Sequence, residues 1–191
     1  MNYEEIEEIV KNTLSEKRFN HSKGVAKRAA ELANMYGEDM ETARKIGIAH
    51  DIAKEMPKEE ALKYAKENKI IFDEIEQNEK GLWHSKLGAD IVVKKFGFTP
   101  DMAQSITYHT TGNVNMNTMD KIIYLADKTE AGRTYEDLEL AREISNKSLD
   151  EGVLYVAKVA LQYSLKKESL IHPDTVNLIN KIVMNKKKGN E

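Results

Sequence analysis

The chain has 191 residues, 40% hydrophobic and 32% charged, a composition typical of one soluble globular domain. It contains no cysteine, which excludes disulfides, thiolate metal sites and a cysteine nucleophile. The net charge of -3 does not indicate nucleic-acid binding, no apolar run approaches the ~18 residues of a membrane span, and the acidic start is unlike a signal peptide. We therefore expect a cytoplasmic protein without nucleic-acid or membrane partners.

The hydrophobic pattern predicts helices along nearly the whole chain. Apolar residues recur three and four positions apart, as Ile6, Val10 and Leu14 do, and no run alternates as a strand would. The three prolines stand where helices can begin, and Gly37 and Gly97 stand where two can end. The predicted helices cover residues 3–14, 21–37, 41–54, 57–68, 84–96, 100–109, 118–131, 135–149, 150–167 and 173–186.

No repeat, low-complexity linker or shift in composition divides the sequence. The prediction is therefore an all-α fold, a single compact helical bundle that forms one domain over residues 1–191. Nothing in the sequence marks an interface, although amphipathic helices of this kind would allow a homodimer.

Histidine and aspartate supply the residues that indicate chemistry. His50 is followed directly by Asp51, and Asp127 ends the apolar run of residues 122–126. A charge in such a run should be paired or metal-bound, because burying it bare costs several kcal/mol or more. Imidazole and carboxylate suit transition metals. The residues alone indicate a histidine–aspartate metal site on helices. Four imidazoles and two carboxylates would be too many for one closed site and would fit two metals about 3.5–4 Å apart.

The order His21, His50-Asp51 and Asp127 resembles the ligand pattern of the HD-domain superfamily of metal-dependent phosphohydrolases. Segments 18–22, 50–54, 108–112, 125–133 and 171–175 narrow the resemblance to the bacterial YqeK-type family, over residues 3–186. That family hydrolyses diadenosine tetraphosphate symmetrically to two ADP. The resemblance implies an HD-type domain and an enzyme that hydrolyses phosphoanhydride bonds.

The resemblance also implies two divalent metal ions and a bridging water or hydroxide as the nucleophile. Iron is expected, and manganese, cobalt, nickel or zinc would also fit. One ion would be held by His21, His50, Asp51 and Asp127, and the other by His84 and His109, with Asp51 bridging.

Substrate contacts are expected next to these ligands. Lys54, one turn after His50, is the first candidate for a phosphate contact and a second catalytic residue beside Asp51. Arg133 is the next candidate, because its planar fork suits phosphate oxygens. The Thr110-Thr111-Gly112 loop offers hydroxyls and a close backbone approach. Lys23 and Lys86 lie near predicted ligands and are weaker candidates for a phosphate contact.

Several of these residues also have a purely structural interpretation. Lys54 and Arg133 would serve equally as ordinary surface charges. Trp83 and Tyr108 flank predicted ligands and are interpreted first as packing, with adenine stacking as the alternative. His172 precedes a proline at a helix start, where capping or packing explains it.

Three other functions remain open at this point. The same scaffold would serve an HD-type phosphohydrolase for nucleoside monophosphates, cyclic nucleotides or nucleoside triphosphates. A di-iron enzyme that activates oxygen would use similar ligands. A nucleotide-sensing module would keep the fold and lose ligands, but all six are present here.

Overall fold

The chain is built from α-helices, which confirms the all-α prediction. The computed structural model describes residues 1–189, and no strand occurs within them. The helices are α1 (Tyr3–Thr13), α2 (Glu16–Tyr36), α3 (Met40–Ala49), α4 (Lys58–Glu67), α5 (Glu74–Asn78), α6 (Trp83–Phe96), α7 (Pro100–Tyr108), α8 (Thr118–Thr129), α9 (Leu138–Lys147), α10 (Leu149–Lys166) and α11 (Pro173–Gly189), with a 3₁₀ turn at Lys80–Leu82.

Short polar side chains determine where several helices start. Ser15 accepts a hydrogen bond from the Arg18 N–H at 3.3 Å, so α2 begins at Glu16 and not near residue 21 as predicted. The unpredicted helix α5 begins with a capping box, in which Asp73 and Glu76 bond each other's backbone N–H groups. Its five residues are too few to show a hydrophobic period.

The prediction that the third helix reaches residue 54 was wrong. Helix α3 ends at Ala49, and residues 51–55 form a tight turn. The Ile52 N–H donates to the Ala49 carbonyl and the Lys54 N–H to the Asp51 carbonyl, three residues back instead of four. This turn places Asp51 beside His50, next to the end of the helix.

Helix α2 lies at the centre of the fold and packs extensively on α3 and α8. Helix α3 also contacts α1 and α7, α7 contacts α6 and α8, and α10 connects α8 with α9 and α11. Residues Val25, Ala29 and Leu32 of α2 are fully buried in this core. That residues 1–191 form a single domain stays a prediction, and residues 190–191 lie outside the described part. Within residues 1–189, no helix has the length and apolarity required to cross a membrane.

The contact between α2 and α3 depends on a missing side chain. A Cβ atom on Gly47 would lie 2.7 Å from the Cα of Ala26 and 3.0 Å from its backbone nitrogen. Backbone atoms cannot move aside as a flexible side chain can. Glycine therefore allows α3 to approach α2 closely, one turn before His50.

We expect Gly47→Ala to lower the free energy of unfolding by about 1–3 kcal/mol, because the added methyl forces the two helices apart. Gly88→Ala in α6 is the matched control, since its Cβ would meet its nearest neighbours at ordinary distances of 3.5–3.7 Å. The control should be neutral or up to about 1 kcal/mol more stable, as alanine favours helix. Urea unfolding followed by circular dichroism measures both, and equal stability of the two variants would contradict the steric argument.

Candidate metal centre

The six residues predicted as metal ligands lie together where five helices meet. His50, Asp51, His84 and His109 are at most 4% exposed, and the side chains of His21 and Asp127 are 12% and 13% exposed. Their positions are α2 for His21, the C-terminal cap of α3 for His50, the next residue for Asp51, the first turn of α6 for His84, the C-terminal cap of α7 for His109 and the last turn of α8 for Asp127.

The Asp51 carboxylate lies between two pairs of imidazoles. Its Oδ2 atom is 3.4 Å from His50 Nε2 and 3.8 Å from His21 Nε2. Its Oδ1 atom is 3.2 Å from His84 Nε2 and 3.7 Å from His109 Nε2. Each oxygen therefore faces a different pair of rings, the orientation that a bridging carboxylate needs.

Asp127 completes the pair that contains His21 and His50. Its Oδ1 atom is 3.1 Å from His21 Nε2 and 3.8 Å from His50 Nε2. One ligand atom from each of these three residues lies within 4.8 Å of the other two, and the same is true of His50, Asp51 and His109. The two groups share His50 and adjoin each other.

Backbone carbonyls set the orientation of two rings. His50 Nδ1 is 2.7 Å from the carbonyl oxygen of Gly47, and His109 Nδ1 is 2.6 Å from that of Ile106. A carbonyl can only accept, so Nδ1 carries the proton in each ring. In the neutral imidazole the Nε2 lone pair is then free to bind a metal, the usual arrangement for histidine ligands.

Glu130 orients His21 in the same way, a role that was not predicted from the sequence. Its Oε1 atom is 3.1 Å from His21 Nδ1, and its other oxygen accepts the Gly132 N–H. Glu130 is 4% exposed, and a Cβ on Gly24 would lie 2.4 Å from its carboxylate. The one sequence signal at Glu130 was its place in the segment 125–133. Its contact with His21 of α2 spans 109 residues and could not be predicted from local sequence.

These residues fit divalent cations. The Nε2 atoms of His21 and His50 are buried and have no hydrogen-bond partner within the described chain, and both face carboxylate oxygens. A lone pair that faces a carboxylate is unfavourable unless a cation lies between them. His84 differs, because its Nδ1 lies 3.4 Å from the Lys54 ammonium and not beside an acceptor oxygen. To bind a metal through Nε2 as a neutral imidazole, His84 would need its ring proton on Nδ1.

The pKa directions agree with two anionic carboxylates beside neutral imidazoles at His84 and His109. Burial raises the pKa of Asp51, but His50 and the other imidazoles outweigh it and leave the pKa well below its ordinary value. Burial also raises the pKa of Asp127, but nearby groups, chiefly the positive charge of Lys128, outweigh it and hold the pKa well below its ordinary value. Burial lowers the pKa of His84 and His109. At His50 burial also lowers the pKa, but the charges of Asp51 and Asp127 reverse the direction.

Four cationic side chains surround a cavity of about 200 Å³ over the centre, here called the central cavity. Arg18 Nη1 lies 2.8 Å from Asp51 Oδ2, and Arg133 pairs with Asp127. Lys128 Nζ donates to the His109 carbonyl at 2.7 Å, and Lys54 is the fourth. The structure thus places the predicted Lys54 and Arg133 at the centre and adds Arg18 and Lys128.

Of the predicted loop, only Thr110 lines the central cavity. Its hydroxyl lies 3.3 Å from His84 Nε2 and 3.2 Å from His109 Nε2. Gly112 has φ 70°, and a Cβ there would lie 2.4 Å from Leu178 Cδ2, so packing against α11 explains it. Thr111 accepts a hydrogen bond from Thr175 through its carbonyl. Substrate contacts at Thr111 and Gly112 stay predictions.

The remaining candidates make structural contacts. Trp83 is buried and stacks on Phe72, with ring centroids 5.1 Å apart. His172 Nε2 donates to Asp73 Oδ2 at 2.7 Å, which connects the start of α11 to the cap of α5. Lys86 pairs with Glu76 of α5.

Comparison with known proteins assigns the class. The profile of the HD domain matches residues 18–132, a segment that includes all six predicted ligands. The chain belongs to the HD domain family and is a metal-dependent hydrolase.

The similarity extends over nearly the whole chain and confirms the resemblance drawn from the sequence. The symmetrical bis(5'-nucleosyl)-tetraphosphatase of Bacillus subtilis (strain 168) is 33% identical over 184 residues, 96% of this chain and 98% of that protein. The protein of the same name from Staphylococcus aureus (strain NCTC 8325 / PS 47) is 28% identical over 183 residues, 94% of each chain. A crystal structure from Clostridium acetobutylicum, described as a predicted HD superfamily hydrolase involved in NAD metabolism, has a TM-score of 0.92 at 30% identity and covers 97% of this chain and 98% of that chain.

We expect His50→Gln to reduce the bound metal strongly, because His50 belongs to both groups of ligands. His172→Gln is the control, since it replaces the one histidine that lies outside the centre. Metal analysis of protein purified without oxygen measures the content, and circular dichroism checks the fold. Unchanged metal in the folded His50 variant would show that the ligand assignment is wrong.

Proposed function

We propose that this chain hydrolyses diadenosine tetraphosphate symmetrically to two ADP, at a centre that binds two divalent metal ions. The observation that supports the proposal is the Asp51 carboxylate, whose two oxygens face separate pairs of histidines. The name shared by the full-length relatives supports the choice of substrate.

One ion would be held by His21, His50, Asp51 and Asp127, and the other by His84 and His109, with Asp51 shared. The ions would supply Lewis-acid chemistry, which activates the attacking water and offsets charge on the phosphoryl oxygens. Iron is our proposed metal, and manganese, cobalt, nickel or zinc would suit the same nitrogen and oxygen donors.

The cationic side chains of the central cavity would bind the phosphates. A tetraphosphate brings several negative charges into a site that already contains two carboxylates, so it needs compensating positive charge. Arg18 and Arg133 offer planar forks for phosphate oxygens, and Lys54 and Lys128 offer ammonium groups. The Thr110 hydroxyl supplies a neutral donor.

The same side chains also hold the carboxylates in position. Arg18 contacts Asp51 and Arg133 contacts Asp127, while Glu130 fixes the ring of His21. In the proposed reaction the water oxygen bonds to phosphorus and the anhydride bond between the second and third phosphates breaks. The bridging oxygen leaves as part of ADP, a weak base that needs no strong general acid.

An HD-type phosphohydrolase for another nucleotide is the alternative, because the ligands would be the same. The description of the similar Clostridium protein, with its link to NAD metabolism, keeps other nucleotides in the test. The cytoplasmic location and the homodimer stay predictions.

We expect the metal-loaded protein to convert diadenosine tetraphosphate to ADP as the sole nucleotide product, because cleavage falls at the middle anhydride. Anion-exchange chromatography separates ADP from the AMP and ATP that asymmetrical cleavage would give. Nucleoside monophosphates, triphosphates, cyclic nucleotides and NAD form the comparison set, with oxygen uptake followed alongside. AMP and ATP as products, or faster turnover of another nucleotide, would overturn the proposed substrate, and oxygen consumption without phosphate chemistry would favour a redox enzyme.

We expect Lys54→Met and Arg133→Met each to lower kcat/KM for diadenosine tetraphosphate by about ten- to a hundredfold, the effect of losing a hydrogen bond to a charged group. Lys23→Met is the matched control, because Lys23 is exposed and lies outside the cavity lining. Metal analysis of each variant must show parental content, since Lys54 and Arg133 also touch predicted ligands. A kcat/KM equal to that of the control variant would remove the residue from the phosphate site.

A further inference from the structure

A second cavity, of about 400 Å³, adjoins the metal centre. It shares Asp127, Lys128 and Arg133 with the central cavity, so the two spaces meet at these residues. We call it the apolar side cavity. Its other walls are Tyr135, after α8, and one side of α10, with Val156, Val159, Ala160, Tyr163 and Ser164.

Of the two aromatic residues of this cavity, Tyr135 packs partly against the core and Tyr163 does not. Tyr163 is 63% exposed on the surface of α10. Tyr135 has a buried hydroxyl with no hydrogen-bond partner among the described residues. An accessible ring and an unpaired hydroxyl beside aliphatic side chains are suited to a flat ligand that stacks and also accepts or donates a hydrogen bond.

Charge is distributed along the cavity in one direction. The end that adjoins the metal centre has the cations Lys128 and Arg133 beside the Asp127 carboxylate, and the α10 side is aliphatic and aromatic apart from Ser164. A ligand that matches this order has an anionic phosphate at one end and an apolar ring at the other. A nucleoside phosphate has that order.

On the basis of the proposed function, we propose that the apolar side cavity binds the adenine nucleoside at one end of the dinucleotide. Tyr163 and Tyr135 contact the base, and Arg133 contacts the phosphates that lead into the metal centre. Trp83, the alternative considered from the sequence, is 5% exposed and stacks on Phe72, and the cavity that it lines has only about 130 Å³.

A third cavity that Arg133 also lines is different in chemistry. It has about 710 Å³ and is lined mostly by polar and charged residues of both signs, and none of its lining residues is phenylalanine, tyrosine or tryptophan. Arg133 lines this cavity, the central cavity and the apolar side cavity. The substrate is thus held by its base at one end only, and the second nucleoside diphosphate lies toward the polar side.

The test measures how the metal-loaded protein binds ADP and inorganic pyrophosphate, by calorimetry. Tyr163→Ala removes an exposed ring from α10, and Ala160→Phe fills the cavity. Gln162→Ala is the matched control, because Gln162 is exposed on the same helix and outside the lining. Both test variants should weaken ADP binding by about tenfold, as loss of base stacking does, and leave pyrophosphate binding unchanged.

Kinetics separate this proposal from the proposed function. If the wild type cleaves diadenosine tetraphosphate and Tyr163→Ala raises KM with little change in kcat, both stand. If the wild type cleaves it but both variants bind ADP as the control does, the nucleoside site is wrong and the function stands. If the wild type leaves the dinucleotide intact while ADP binding still depends on Tyr163, the nucleoside site stands and the proposed substrate fails.

Discussion

The Asp51 carboxylate is buried away from water, so the surrounding helices must supply groups that compensate its negative charge. Imidazoles face both of its oxygens, and Arg18 contacts one of them. These groups arrive from separate helices, so their convergence requires close packing of α2, α3, α6 and α7. The approach of Gly47 to Ala26 is one place where that packing is tight. Stability of the fold and geometry of the site are therefore linked through the same contacts.

Charge is arranged in layers around this carboxylate. Buried imidazoles and two aspartates form the inner layer, and the ends of Arg18, Lys54, Lys128 and Arg133 form the layer that borders the cavity. The inner layer suits cations and the outer layer suits phosphate. A polyanionic substrate thus meets positive charge before it reaches the carboxylates, which favours its entry into the centre.

Periodicity and resemblance predicted most helices and the identity of the six clustered residues, because both are carried by local sequence. The end of α3 was missed because the tight turn that follows it does not interrupt the hydrophobic pattern from which the helices were predicted. Glu130 and Lys128 were given no role because their partners lie far away in sequence. The apolar side cavity was also out of reach, since Tyr163 becomes relevant only when α10 packs beside α8.

Two of the histidines cap the ends of helices, and this has an electrostatic consequence. His50 follows the last residue of α3 and His109 follows that of α7, so the carbonyl ends of both helices point toward the centre. Aligned peptide dipoles place a partial negative charge, equivalent to about half an elementary charge, at each such end. Backbone dipoles can therefore attract divalent ions without a third carboxylate ligand, which would add to the repulsion felt by an incoming phosphate group.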